Sequence, residues 1–184
     1  MTIHLLLVGL TLICFFRSRC WILSARYHTT AIYMILGSLL YLILTAGYLL
    51  WSFVPDTPMQ RLTCELLYSL FIFPLTTLMF LNGYPEEKGL IAQFAHLLKW
   101  VGLYGGTELV LMWTNRIQYG HGWSWYSSVV FDLMMFPMLR LHSRRPLVAY
   151  VCSVPIIIGL MLVFRVPFAE VSSRVLPDMA LPPN

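Results

Sequence analysis

The chain has 184 residues, of which 59% are hydrophobic and only 11% are charged, and its mean hydropathy is +0.74. Soluble domains carry roughly 25% charged residues, so this composition excludes a separate soluble catalytic or nucleic-acid-binding domain and indicates an integral membrane protein. The formal net charge of +4 fits contact with the anionic head groups of a lipid bilayer better than an acidic macromolecular partner.

Six apolar stretches follow one another along the chain, at residues 3–16, 29–54, 62–81, 100–119, 123–141 and 147–164. A membrane-spanning helix needs about 20 residues at a rise of about 1.5 Å per residue. Four stretches fit this length, the second is long enough to tilt, and the first is short. The sequence therefore predicts an all-α, polytopic transmembrane helical bundle with five to six spans.

Residues 1–168 are predicted to form this single transmembrane domain. The remaining residues, 169–184, contain Pro177, Pro182 and Pro183 and few large apolar groups, which predicts a disordered C-terminal tail. The first apolar stretch has no Lys or Arg before it and several Arg residues after it, an order typical of a membrane anchor rather than a cleaved signal peptide.

The basic residues predict the orientation in the membrane. If all six stretches cross, eight of the 12 Lys and Arg residues fall in loops on one side and four on the other. Positive residues are enriched on the cytoplasmic side, so the first set is expected to be cytoplasmic. That set is Arg17, Arg19, Arg26, Lys88, Lys99, Arg140, Arg144 and Arg145, and the other is Arg61, Arg116, Arg165 and Arg174.

Glu108 and Asp132 are the most informative residues, because each lies near the middle of an apolar stretch with no Lys or Arg at a matching depth. A carboxylate is costly in hydrocarbon, so such residues face a bundle interior or a wet cavity. The connection at residues 120–122 is short and predicts antiparallel neighbouring helices with both acids at similar depth. Two carboxyls held together at low dielectric do not readily both ionise, which predicts a proton- or cation-binding site.

The alternative for each acid is structural: a neutral carboxyl that hydrogen-bonds to Tyr, Ser or a backbone carbonyl and fixes the helix register. A rotation of about 100° per residue places two polar stripes beside the acids. One holds Tyr104, Glu108, Asn115 and Tyr119, and the other holds His121, Trp125, Ser128 and Asp132. Tyr104, Asn115, Ser128 and His121 are expected to shape a polar path, although His121 also fits the aromatic belt of a membrane interface.

Glycine and proline positions predict helix contacts and distortions. Gly102 and Gly106 form a GxxxG pattern that permits close approach of another helix, with a partner inside the chain as the default and a second subunit as the alternative. Pro74 and Pro137 are expected to kink their helices and to open space beside them. Glu65 follows Arg61 by one turn, which indicates an interfacial ion pair.

Motifs for catalysis or cofactor binding are absent from the sequence, including P-loop, HExxH and GxGxxG patterns. The four cysteines show no CxxC pair and the histidines no metal-ligand spacing. We therefore expect no metal, no cofactor and no enzymatic activity. The partners expected are the lipid bilayer and a second copy of the chain or another membrane protein, with no nucleic acid.

A longer pattern begins at Glu108. The run E-x7-R-x4-H-G-W-S, followed by Asp132-x2-Met135-Phe136-Pro137-x2-Arg140-Leu-His142-x3-Pro146, resembles a family of small, uncharacterised multi-spanning membrane proteins from spore-forming Firmicutes. The resemblance extends more loosely through Phe73-Pro74. It implies a Gram-positive cytoplasmic membrane and supports the span count, and because the family has no assigned activity it implies no catalytic residues.

The leading hypothesis from the sequence is a proton- or cation-coupled transport or permeation module with Glu108 and Asp132 at its centre. The alternative is a non-enzymatic sensor or accessory subunit that docks a membrane partner through the GxxxG face. A third hypothesis, a lipid-modifying enzyme, requires a cleft at head-group depth that joins His142, Arg140 and an acid.

Overall fold

The structure, a computed structural model, describes residues 3–55 and 60–167, and these are mostly helical. Six helices of ten or more residues follow in chain order. They are α1 (Ile3–Arg17), α2 (Ser24–Leu44), α3 (Arg61–Asn82), α4 (Gly89–Trp113), α5 (Trp125–Arg144) and α6 (Pro146–Val163). The tail predicted at 169–184 lies outside the described residues.

Three of these helices are long and apolar enough to cross a membrane, namely α2, α3 and α6. Helix α1 is apolar but has only 15 residues. Helices α4 and α5, which carry Glu108 and Asp132, do not reach the same apolarity. Length and composition therefore support three spans among the described residues, fewer than the five to six that the sequence predicts.

Two of the predicted helical stretches end early and continue as strands. Helix α2 ends at Leu44 rather than near residue 54, and Trp51–Phe53 forms strand β1. Helix α4 ends at Trp113 rather than at residue 119, and Ile117–Tyr119 forms strand β2. The strands pair antiparallel, with Ser52 opposite Gln118. This two-stranded ribbon corrects the all-helical prediction, because each segment satisfies its backbone groups by pairing with the other.

Helix α3 lies at the centre of the packing and contacts α1, α2 and α5. It contains a π-helical turn at Tyr68–Ile72, immediately before Pro74. Because proline has no N–H to donate, a local departure from α-helical bonding is expected there. At Pro137, by contrast, α5 continues as an unbroken helix.

The connections between helices gather at two ends of the molecule. At the basic end, comprising residues 18–23, 83–88 and 145, the Asn82 side chain donates to Cys20 Sγ at 3.3 Å, and Arg144 pairs with Glu86. At the ribbon end, comprising residues 45–55, 114–124 and 164–167, His121 stacks on Tyr48. This division agrees with the predicted grouping of loops on two sides.

Candidate functional site

Helices α4 and α5 are neighbours, as predicted, although residues 114–124, which include strand β2, connect them rather than the short turn expected at 120–122. They pack closely at Gly105, where an added Cβ atom would lie 3.4 Å from Val129 Cγ2. The indole N–H of Trp125 also donates to the Gly105 carbonyl at 3.0 Å. At Gly102 and Gly106 an added Cβ would meet no described atom within 4 Å. The predicted close contact inside the chain is therefore wrong for these two glycines, and Gly105 makes it instead.

Glu108 is half-buried and lies at the end of a chain of hydrogen bonds. Its Oε1 atom accepts the hydroxyl of Tyr119 at 2.6 Å and the hydroxyl of Ser128 at 2.5 Å. Ser128 in turn accepts the indole N–H of Trp123 at 2.9 Å. Three side chains from β2, α5 and the loop before α5 therefore fix the orientation of this carboxyl.

Asp132 has different surroundings, although it lies on the next helix. The residue is only 6% exposed, and it interacts electrostatically with Glu108 and Tyr104 of α4. Among residues 3–55 and 60–167, no donor hydrogen-bonds to it and no Lys or Arg forms an ion pair with either acid. Asp132 is four residues beyond Ser128, about 6 Å along the axis, so the two acids lie diagonally rather than directly opposite.

Tyr104 turns its hydroxyl toward α3. It lies 2.5 Å from the hydroxyl of Thr76, and the Thr76 hydroxyl itself donates to the Ile72 carbonyl at 2.8 Å. The Thr76 hydroxyl also lies 3.0 Å from the Phe73 carbonyl, so its single hydrogen has several acceptors within reach and either hydroxyl can be the donor between Tyr104 and Thr76. The contact places the Tyr104 hydroxyl against α3.

Two residues predicted for the polar path lie elsewhere. Asn115 is exposed, follows the end of α4 and has a left-handed backbone with φ of 56°. His121 is exposed in the turn of the ribbon end, also left-handed, and stacks on Tyr48 with ring centroids 3.4 Å apart. Neither is in a helical stripe, because α4 ends at Trp113. Tyr119 does reach Glu108, but from a strand rather than from the predicted helix.

Glu65 and His4 are more deeply buried than the sequence indicates. Glu65 is 3% exposed, and its Oε1 accepts the backbone N–H of Phe53 in β1 at 2.8 Å, a contact that the predicted pairing with Arg61 does not include. His4 is 0% exposed and lies 2.8 Å from the Val54 carbonyl and 3.0 Å from the Tyr68 hydroxyl. The sequence carries no signal for either contact, because the partners are distant along the chain.

Among the described residues, one acid forms salt bridges, and it lies at the basic end. Glu86 pairs with Arg140 at 2.8 Å and with Arg144. Burial alone would raise the pKa of Glu86, but the two guanidinium groups together hold that pKa below its ordinary value. Arg140 also lies over the Tyr84 ring, 4.6 Å from its centroid.

A groove of about 370 Å³ lies between α5 and α6 near the ribbon end. Its lining is almost wholly apolar and includes neither Glu108 nor Asp132. The cleft expected for a lipid enzyme does not form among the described residues, because His142 is 2% exposed and faces Thr30 while Arg140 is paired with Glu86. No group of three His, Cys, Asp or Glu side chains in the described ranges is placed to hold a metal ion.

No protein-family model, curated protein sequence or solved structure matches this chain. The resemblance to membrane proteins of spore-forming Firmicutes therefore stays a prediction. The geometry of α4, α5 and the ribbon is the basis for any functional argument.

Proposed function

We propose that the chain is a multi-pass protein of the cytoplasmic membrane with five to six spans, in which α4 and α5 cross beside the three most apolar helices. Helices α4 and α5 have 25 and 20 residues, enough for a span. Glu108 and Asp132 are half-buried and buried, while Leu103, Val110 and Val130 on the same two helices are 52%, 46% and 65% exposed. Such exposed apolar surface is stable in lipid and not in water.

The orientation places the basic end in the cytoplasm and the ribbon end outside, by the excess of Arg and Lys. Single cysteines at Gln118 and Ser143, in a background with the four native cysteines replaced by Ala, test it with a membrane-impermeant thiol reagent on intact cells. Gln118 is preferable to Gly120, because a Cβ at Gly120 would lie 3.0 Å from the Leu49 carbonyl. Labelling at Gln118 alone supports the orientation, and labelling at Ser143 alone reverses it.

Within this bundle, the Glu108–Asp132 pair forms the proton- or cation-binding site of a small transport or permeation module. The observation that carries the proposal is Asp132, a residue only 6% exposed that interacts electrostatically with a second acid and has no hydrogen-bond donor among the described residues. Uncompensated acids of this kind are expensive in a membrane protein and commonly functional. A purely structural acid would be expected to have its own donor, as Glu108 has.

Ion flux into liposomes that contain the purified protein tests this proposal. We expect Glu108→Gln and Asp132→Asn to fold normally and to abolish proton or cation flux, because each removes the ionisable group with almost no change in shape. Glu87→Gln is the matched control, since Glu87 is an exposed acid at the basic end. Unchanged flux in both site variants, or wild-type flux no higher than that of empty liposomes, would contradict the proposal.

The alternative function is an accessory or sensor subunit that binds a membrane partner. Two observations favour it: the apolar groove between α5 and α6 does not reach the acids, and Gly102 and Gly106 present a face that no described part of the chain covers. Here Gly106→Leu should abolish association with the partner or a second copy, whereas Gly159→Leu, on another face that is equally open, should not. Cross-linking in native membranes distinguishes this outcome from a freely diffusing monomer.

A further inference from the structure

We infer that the Glu108–Asp132 site binds a proton rather than a dehydrated metal cation, and that Trp123 positions the carboxyl that receives it. The inference deepens the transport proposal and rests on the same pair of acids. It is carried by the directions of the hydrogen bonds that surround the site.

The direction of each hydrogen bond around Glu108 is fixed by its donor. The indole nitrogen of Trp123 is a donor only, so the Ser128 oxygen accepts from it at 2.9 Å, and the Ser128 hydroxyl hydrogen is directed at Glu108 Oε1 at 2.5 Å. The Tyr119 hydroxyl donates to the same oxygen at 2.6 Å. Oε1 is therefore occupied by two donors, and Oε2 is the oxygen left to bind a proton.

The same directions leave few ligands for a metal ion. One oxygen of Glu108 and the two of Asp132 have no donor among the described residues, and the Tyr104 hydroxyl lies against Thr76 of α3. Backbone carbonyls of α4 and α5 are engaged in the helices, and Gly105 accepts from Trp125 as well. Hard divalent cations take six or more oxygen ligands, so these oxygens cannot replace the hydration shell of such an ion.

A proton needs only one of these oxygens. Two carboxyls that interact electrostatically reduce their like-charge repulsion when one of them is protonated. The ionisable groups around the pair are Tyr104 of α4 and Tyr119 of β2, α3 contributes the Thr76 hydroxyl, and no described Lys or Arg is paired with either acid. The proton enters from water, binds Glu108 Oε2 or an Asp132 oxygen, and returns to water, with no other bond made or broken.

Infrared difference spectroscopy of the protein in liposomes, recorded through a pH titration, tests the inference because a protonated carboxyl has its own C=O stretching band. Glu108→Gln and Asp132→Asn assign the bands. We expect a Glu108 band at lower frequency than an Asp132 band, since Oε1 of Glu108 accepts two hydrogen bonds and Asp132 accepts none from the described residues. Addition of sodium, potassium, magnesium or calcium chloride should leave both bands and the thermal midpoint unchanged relative to choline chloride at equal ionic strength.

A comparison of two tryptophan variants tests the positioning role of Trp123. Trp123→Phe keeps an aromatic ring but removes the N–H, and it should shift the Glu108 band to higher frequency because the Ser128 hydroxyl is no longer held in place. Trp125→Phe is the matched control, since that indole donates to a backbone carbonyl instead, and it should leave the band unshifted. Ser128→Ala should produce a shift at least as large as that of Trp123→Phe.

The outcomes separate this inference from the transport proposal. Loss of a carboxyl band on addition of one metal cation, or no titrating carboxyl band in the wild type, would overturn the proton assignment. An unshifted Glu108 band in Trp123→Phe would overturn the positioning role. A titrating, cation-insensitive band in a protein that shows no flux would support the proton site and contradict transport.

Discussion

The two ends of the molecule hold their ionisable side chains in opposite ways. At the ribbon end, Glu65 and His4 are 3% and 0% exposed and bind neutral partners, a backbone N–H, a backbone carbonyl and a tyrosine hydroxyl. At the basic end, the Glu86 side chain is 31% exposed and binds two arginines. Hydrogen bonds of buried groups are costly to break, whereas exposed ion pairs are screened by water and contribute little.

This difference implies that the buried contacts of the ribbon end contribute more to the stability of the fold than the ion pairs of the basic end. The ribbon is held through Phe53 of β1 to Glu65 and through Tyr119 of β2 to Glu108. Both strands are thus tied to acids on helices. Four substitutions test the comparison, from the largest expected effect to the smallest.

His4→Ala should lower the free energy of unfolding in detergent by about 3 kcal/mol, because it empties a fully buried site and removes the hydrogen bonds of His4 to the Val54 carbonyl and the Tyr68 hydroxyl. His28→Ala is the control, since His28 is exposed and its ring contacts only the Ala25 carbonyl one turn earlier. Denaturant or thermal unfolding measures both. Equal stability of the two variants would contradict the assignment of His4 to the ribbon end's core.

Glu65→Leu should lower the free energy of unfolding by about 2 kcal/mol, which is within the range for a buried donor that loses its acceptor. The donor is the Phe53 N–H of β1. Glu65→Gln keeps a carbonyl oxygen at the same position and should retain most of the stability. If both variants unfold at the same denaturant concentration as the wild type, the hydrogen bond does not hold the ribbon.

Gly122→Leu should lower the free energy of unfolding by about 1 to 2 kcal/mol. Residue 122 has a backbone φ of 81°, and a residue with a side chain has that cost in the left-handed region. Gly106→Leu should be neutral or slightly stabilising in the monomer, since an added side chain meets no described atom and leucine favours helix more than glycine does. Unfolding of the two purified variants gives the comparison. Greater loss in Gly106→Leu would restore the helix contact that the GxxxG pattern predicts.

Glu86→Gln should change stability by less than about 1 kcal/mol at neutral pH, as expected for an exposed ion pair. The arginines hold the folded-state pKa of Glu86 below its ordinary value, so its small contribution is complete above the unfolded pKa and disappears as the pH falls through the folded pKa. Unfolding at neutral and acidic pH, at low and high salt, measures this. A difference between variant and wild type that grows at acidic pH would contradict the sign.

Several helix positions could be predicted from local patterns. Residues 147–164 and 62–81 were expected as helices and form Pro146–Val163 and Arg61–Asn82, because each is a long apolar run bounded by polar residues. The strands could not be predicted in this way. Short apolar segments such as Trp51–Phe53 look alike as strand or helix, and only pairing with Ile117–Tyr119 decides between them.

The same distinction between sequence pattern and tertiary structure applies to the candidate site. The composition and the positions of Glu108 and Asp132 within largely apolar stretches are properties of the sequence, and they indicate two carboxyls that would be costly to expose to hydrocarbon. The partners of these acids depend on tertiary structure. Tyr119 reaches Glu108 because the chain leaves α4 and folds back as β2, and Ser128 reaches it because α4 and α5 pack at Gly105. Hydrogen bonds act over about 3 Å, so the satisfied surroundings of Glu108 and the unsatisfied surroundings of Asp132 are set by packing that the order of residues does not reveal.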